Sequence, residues 1–96
     1  MNIKQIRYLR ALGHELKSTI RVGKSGITTG VLKQINDHIT AHELIKITLR
    51  KVYGPERKEL GETLAKLSNT ELIQVIGGSV LLYRPHPDKP KIKLPQ

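Results

Sequence analysis

The sequence predicts an α/β fold, a compact single domain with helices and strands in the order αβαβαββ. Apolar residues recur at helical spacing in three segments and alternate with polar residues in the segments between them. Strand–helix–strand connections favour parallel strands with right-handed crossovers, whereas the Gly77-Gly78 pair favours an antiparallel hairpin. We therefore expect a four-stranded mixed sheet packed with three helices, and 96 residues suffice for one such domain.

The first half of the chain is predicted to form a helix, a strand and a second helix. The first helix covers residues 3–16, with Asn2 as its N-cap. A short strand over 19–22 turns Arg21 outward, and the second helix covers 28–41. The apolar stripes expected to face the core are Ile3, Ile6, Leu9, Leu12 and Leu16 in the first helix and Val31, Leu32, Ile35 and Ile39 in the second.

The second half is predicted to form a strand over 44–49, a helix that begins at Pro55, and two strands over 71–76 and 79–83. Proline suits the first position of a helix, where an N–H group would have no intrahelical partner. The buried stripe of the third helix should consist of Leu60, Leu64 and Leu67.

The final segment, residues 85–96, is rich in proline and lysine. Its four prolines disfavour both helix and sheet, so we expect an extended tail without a core of its own. The folded domain should therefore cover residues 1–84, and the tail should be dispensable for folding.

The charge balance points to a polyanionic partner. The chain has 17 Lys and Arg against 8 Asp and Glu, a net charge of +9. Nucleic acid and an anionic membrane surface are the partners that such a balance favours. No apolar run approaches the roughly 20 residues of a spanning helix, and charges interrupt the start of the chain, so we expect a cytoplasmic protein without membrane contact. We also expect it to be a monomer.

A glycine loop, Gly23-Lys24-Ser25-Gly26, separates the first strand from the second helix. Glycines let another backbone approach closely, the helix that follows points unpaired N–H groups at the loop, and Lys24 adds a cation. This is a cradle for a phosphate or a phosphodiester backbone. The alternative is a strand-to-helix turn whose glycines serve geometry only. A nucleotide-binding P-loop is excluded because position 18 is Ser rather than Gly.

Basic residues gather on one arc of the first helix. Residues 1–27 hold six cations and a single acid, Glu15. That asymmetry suits a surface that tracks phosphates, although a charged outer face is also ordinary for a surface helix. Only three aromatic residues occur, all Tyr, which favours recognition of backbone and shape over base stacking. The candidate cations are Lys4, Arg7, Arg10 and Lys17 on the helix, Arg21 in the first strand, and Lys46 on the polar face of the second strand.

Catalysis and metal binding have little support in the sequence. Ser25 has no evident base, and no Cys is present. His38 and His42 share a helix face, but no third ligand is apparent, whereas catalytic zinc needs three. We therefore predict a protein that is not an enzyme and that holds no cofactor or metal.

Three blocks of sequence, 22–28, 42–47 and 75–84, resemble the CRM domain (chloroplast RNA splicing and ribosome maturation), and the opening 9–14 also fits. A chain of this size is similar to the bacterial YhbY type. The resemblance implies a fold similar to the C-terminal domain of translation initiation factor three, RNA binding, and association with precursors of the large ribosomal subunit. It implies an RNA-contacting loop, to which we add the residue that opens the next helix: Gly23, Lys24, Ser25, Gly26 and Thr28.

Two other functions stay open at this point. A duplex-DNA-binding protein would need a recognition helix, and the second helix offers only Lys33, Gln34, Asn36 and Asp37 for base edges. A phosphate-ester enzyme could use the glycine loop for its substrate, but it would lack a general base or a metal cluster.

Overall fold

The computed structural model describes residues 1–23 and 26–96, and it has the predicted order of elements. The N-cap prediction is also confirmed, because Asn2 and Gln5 form a reciprocal capping box. The helices and strands are α1 (Ile3–His14), β1 (Ile20–Val22), α2 (Thr29–His42), β2 (Leu44–Leu49), α3 (Pro55–Ser68), β3 (Glu71–Ile76) and β4 (Ser79–Tyr83).

The four strands form one mixed sheet in the order β1-β2-β4-β3. Strand β1 lies parallel to β2, and β4 lies antiparallel to both β2 and β3. The expected hairpin is present, since Ile76 pairs with Ser79 across the two glycines and Gly77 has a φ of +55°. Strands β1 and β3 are therefore the two edges of the sheet, which decides where the basic residues lie relative to each other.

Helices cover both faces of the sheet. The larger core cluster joins Ile35 of α2 and Leu64 of α3 to the inner side of the strands. The smaller cluster lies on the other face, where Leu9 of α1 packs against Leu44, Ile73, Leu81 and Tyr83. The face of β2 that carries Lys46 and Thr48 is consequently half-buried rather than open. Lys46 and Thr48 share one face of β2, as the alternation predicted, and α1 covers this face at its Leu44 end.

Two of the predicted apolar stripes need correction. Ile3 is 67% exposed, because at 100° per residue it falls on the same arc of α1 as Arg7 and Arg10. Leu67 is 55% exposed, because α3 turns a different face to the sheet. That face consists of Gly61, Leu64, Ala65 and Ser68.

Small residues explain the orientation of α3. A Cβ added at Gly61 would come within 3.1 Å of the Val80 side chain and 3.3 Å of Leu72. Glycine therefore lets the helix backbone approach β3 and β4 closely, which a leucine stripe could not do. The periodicity of the leucines identified the helix but not the face that is buried.

The tail after Arg84 has no helix or strand, yet it is packed against the domain. Ile92 and Leu94 contact the smaller core cluster. The backbone N–H groups of His86, Lys91 and Ile92 donate to the Glu43 carboxylate at 2.7, 2.6 and 2.8 Å. The tail is extended and has no core of its own, but it packs on the core of the domain, and whether it is dispensable for folding stays to be measured. A proline-rich segment cannot pair its N–H groups within itself, and one buried carboxylate accepts several of them.

Candidate nucleic-acid interface

The ends of the glycine loop form a tight turn between β1 and α2. The Gly26 N–H donates to the Gly23 carbonyl at 3.0 Å, and Gly26 has a φ of +85°, in the region that favours glycine. The predictions for Lys24 and Ser25 fall outside the described residues. The backbone conformation alone therefore favours glycine at position 26.

Gly23 has no such requirement. Its φ is not in the left-handed region, and a Cβ added there would meet no atom of residues 1–21 or 26–96 within 4 Å. A Cβ at Gly26 would also find open space. Within the part of the chain that the structure describes, neither glycine is therefore needed to fit another segment, and no described atom fills the position of a Cβ at either glycine.

The start of α2 lies directly after this turn. The Thr28 hydroxyl caps the helix by accepting from the Val31 N–H at 3.1 Å. The first turn of α2 contains no acidic residue, so the partial positive charge of the helix end is not neutralised within that turn. Thr28, predicted as a binding residue, thus has a defined structural role at the candidate site.

Three of the predicted cations lie towards the β1 edge of the sheet. Arg21 is exposed and lies opposite Thr48 of β2 in the parallel register. Thr48 follows Lys46 by two residues on the same face of β2, and the two are about 7 Å apart. Lys46 and Lys17 line one cavity between the connector 15–19 and the sheet. The prediction that Lys17 lies on the first helix is wrong, because α1 ends at His14 and its last turn tightens into the connector.

The cations of α1 do not continue this group. Lys4 and Arg7 are exposed, and Arg10 donates from Nε to the Ile73 carbonyl of β3 at 3.4 Å. In the strand order β1-β2-β4-β3, strand β3 is the edge opposite β1. The basic arc of the first helix therefore does not lie beside the glycine loop at Arg10. The described cations therefore fall into two basic areas, one towards the β1 edge and one along α1, and their part in RNA binding stays a prediction.

A cleft beneath the glycine turn was missed by sequence reasoning. It has a volume of about 450 Å³ and runs between the turn and the first half of α3. Glu56 and Glu59 belong to its lining, although the sequence shows them only as part of an ordinary mixed-charge helix surface. The α3 residues of this lining follow the i, i+3, i+4, i+7 spacing of one helix face, which could have indicated that they form one surface. The lining residues are Gly23, Gly26, Val52, Glu56, Glu59, Leu60 and Thr63.

Glu43 was also missed, and its role is structural. It ends α2 with a φ of +67°, is fully buried, and accepts the three tail N–H groups. Burial by itself would raise the pKa of the Glu43 carboxyl, but the hydrogen bonds from His86, Ile92 and Lys91 outweigh it and hold this pKa below its usual value. Burial, with the Glu43 charge nearby, raises the pKa of Tyr83.

Arg84 joins the ends of α2 and α3. It donates to the Ser68 carbonyl at 2.9 Å, to Asn36 Oδ1 at 2.8 Å and to Thr40 Oγ1 at 3.2 Å. Asn36 is one of the few side chains on the second helix that could have contacted a base edge. Its amide oxygen accepts this intramolecular hydrogen bond at the protein surface, which weakens the interpretation of α2 as a DNA recognition helix.

The histidine pair forms no cluster with acids. The rings of His38 and His42 lie edge to face at 6.5 Å, and His38 Nδ1 lies 3.2 Å from Thr19 Oγ1. Within residues 1–23 and 26–96, no three side chains of His, Cys, Asp or Glu are placed to hold a metal ion. Across the same residues, the helices are too short or too polar to span a bilayer.

Comparison with known proteins gives a consistent family. Residues 1–84 match the CRS1 / YhbY (CRM) domain. The chain is 35% identical to the "Probable RNA-binding protein YqeI" of Bacillus subtilis, over 96% of both chains. It is 33% identical to an RNA-binding protein of Haemophilus influenzae, over 100% of this chain and 96% of that one.

A solved structure also matches in fold. The solution structure of a hypothetical Staphylococcus aureus protein, regarded as a candidate RNA-binding protein, superposes with a TM-score of 0.86. The two chains are 39% identical, and the match covers 99% of each.

Proposed function

Because this chain belongs to the CRS1 / YhbY (CRM) domain family, we propose that it is a non-catalytic RNA-binding protein. Two of its relatives carry RNA binding in their names, and both match it over nearly their whole length. The observation that carries the proposal is the open glycine turn at the acid-free start of α2.

The turn supplies a surface suited to a phosphodiester backbone. Among the described residues, none comes within 4 Å of a Cβ built at Gly23 or Gly26. The first turn of α2, where helix N–H groups lack intrahelical partners, follows directly. Arg21, on the strand that enters the turn, adds an exposed charge. In this proposal the turn positions an RNA segment, Lys24 and Arg21 neutralise nearby phosphates, and Lys17 and Lys46 extend the contact across the sheet face.

The finer part of the proposal concerns the RNA itself. We infer that the target is RNA of large-ribosomal-subunit precursors and that the protein acts in ribosome assembly in the cytoplasm. The resemblance to the YhbY type supports this target. The net charge of +9 and the scarcity of aromatic residues suit a folded RNA that is bound through its backbone.

Two measurements test the proposal. Affinities for structured ribosomal RNA, duplex DNA and mononucleotides, measured at one salt concentration, should rank the structured RNA first. Equal binding of duplex DNA would favour the DNA-binding alternative, and preferential binding of mononucleotides would favour the enzyme alternative. Crosslinking in cells, followed by sequencing of the attached nucleic acid, should recover large-subunit ribosomal RNA; recovery of unrelated transcripts would contradict the assembly role.

A further inference from the structure

We propose that Tyr53 stacks on an unpaired base of the bound RNA, next to the segment whose phosphates lie on the glycine turn. This inference rests on the proposed function, since it assumes that RNA lies on the turn. It goes further by assigning a contact with a base to a protein whose other contacts are with the RNA backbone. It also assigns Arg50 and Lys51 to the phosphates between the turn and this base.

The connector between β2 and α3, residues 50–54, lies beside the glycine turn. Strands β1 and β2 are parallel and end at the same edge of the sheet, where their last residues, Val22 and Leu49, lie opposite each other. The Arg50 N–H donates to the Val22 carbonyl at 2.8 Å. Three residues of chain span at most about 11 Å, so the Tyr53 backbone lies within this distance of Arg50. RNA on the turn is therefore close to Tyr53.

This connector is basic and has a defined backbone path. Residues 50–58 contain four cations and one acid, Glu56, and both Arg50 and Lys51 are exposed. Lys51 has a φ of +59°, in the region that favours glycine, and the next side chain, Val52, is buried in the larger core cluster. A residue other than glycine keeps such a backbone only where its surroundings hold it. The connector therefore presents its cations from a fixed backbone beside the turn.

The Tyr53 ring points into solvent with one face supported. It is 67% exposed, against 40% for Tyr8 and 4% for Tyr83. The Arg57 guanidinium lies over the ring, 5.9 Å from its centre. Arg57 is itself held in place, because its Nε donates to the Val52 carbonyl at 2.9 Å. Since most of the ring stays exposed with Arg57 over one face, the opposite face is open to a planar group.

An aromatic ring that is backed by one cation and preceded by two others suits a nucleotide. Every base has a face that can stack on an aromatic ring, and the phosphates beside it are attracted by Arg50 and Lys51. Stacking on a protein ring needs a base from a loop, a bulge or an end of the RNA. Among the described residues, the lining of the cleft with its two acids does not include Tyr53, so this base does not have to enter the cleft.

The test compares two RNA duplexes with the same paired sequence. One duplex has blunt ends, and the other carries a short single-stranded uridine extension. Dissociation constants are measured for the full-length wild type and for full-length variants, and thermal midpoints confirm that each variant is folded. The wild type should bind the extended duplex more tightly, because only the extension offers unpaired bases.

Variants assign this preference to the ring. Tyr53→Leu should bind the extended duplex about tenfold more weakly and change by less than about twofold on the blunt duplex. Its slope of log K against log salt should equal that of the wild type, because stacking releases no counterions. Tyr53→Phe keeps the ring and should bind both duplexes like the wild type. Arg50→Gln should weaken binding of both duplexes and make the slope less steep by about one unit.

Each other outcome decides against part of the inference. The stacking contact is overturned if the wild type binds both duplexes equally, if Tyr53→Leu binds the extended duplex like the wild type or loses equally on both, or if Tyr53→Phe loses as much as Tyr53→Leu. An unchanged affinity and slope in Arg50→Gln would overturn the phosphate contact of the connector. All of these results leave the proposed function standing. Failure of the wild type to bind either duplex would instead overturn the proposed function, and the stacking contact with it.

Discussion

At the scale of single residues, Glu43 is the side chain on which the tail depends. Its carboxylate is fully buried and accepts N–H groups from three tail residues that are distant in sequence. A buried carboxylate without such donors would be costly. The packing of residues 85–96 and the ionisation of Glu43 are therefore coupled.

The coupling predicts an acid-dependent loss of stability. The pKa of Glu43 in the folded protein is lower than its ordinary value of 4.5, so on acidification the unfolded chain takes up a proton first. The stabilisation is complete above about pH 5 and is lost as the pH falls through the lowered pKa. Glu43→Gln should cost about 2 kcal/mol of unfolding free energy at pH 7 and flatten this dependence.

Urea unfolding between neutral pH and about pH 3 measures this effect. Glu62→Gln is the control, because Glu62 is exposed on α3. An acid limb that is identical in the wild type and in Glu43→Gln would contradict the assigned role.

At the scale of elements, the tail and α1 share one face of the sheet. Ile92 and Leu94 pack on the smaller core cluster, which Leu9 of α1 also fills. The cations of α1 lie above this face and reach the β3 edge at Arg10, away from the glycine turn. The two basic areas can be tested separately for this reason.

Removal of the tail should destabilise the domain. A chain that ends at Arg84 loses two apolar contacts and leaves the Glu43 carboxylate without its three donors. We expect the thermal midpoint to fall by roughly 10 °C, which corresponds to about 2 kcal/mol in a domain of this size. A chain that ends at Leu94 keeps these contacts and should melt like the full chain. An unchanged midpoint for the shorter chain would show that the tail contributes nothing to stability.

Loss of the α1 cations should reveal whether RNA reaches the second basic area. Arg7 is exposed, so Arg7→Ala should leave the fold intact. If one phosphate contact is lost, the slope of log K against log salt should become less steep by about one unit. Lys66→Ala, an exposed cation of α3, is the matched control. An unchanged affinity and slope would confine RNA to the β1 side.

At the scale of the whole molecule, the fold was predictable and the arrangement of the site was not. Alternation and helical spacing identified every element, because they report local burial. The leucine spacing of α3 predicted the wrong buried face, because Gly61 and Ala65 allow closer packing on the sheet than Leu67 does. Glu43 and the cleft acids depend on contacts between distant segments, and a charged residue in a sequence normally indicates solvent. The separation of Arg10 from the turn could not be predicted for the same reason, since it follows from the strand order.

The charge of the whole molecule leads to a salt dependence. With a net charge of +9, binding that neutralises about four to six phosphates should give a slope of log K against log salt of roughly −3 to −5. Titrations of structured RNA at several potassium chloride concentrations measure it. Affinity that is insensitive to salt would rule out the electrostatic part of the account.

The most direct test of RNA binding at the glycine turn is the RNA affinity of Gly23→Asp. Position 23 has no strained φ and open space for a side chain, so this variant should fold normally, whereas an aspartate at Gly26 would also strain the backbone. We predict at least a tenfold loss of affinity for structured RNA with an unchanged thermal midpoint, and a smaller loss for the neutral, isosteric Gly23→Asn. Wild-type affinity in folded Gly23→Asp would contradict the account.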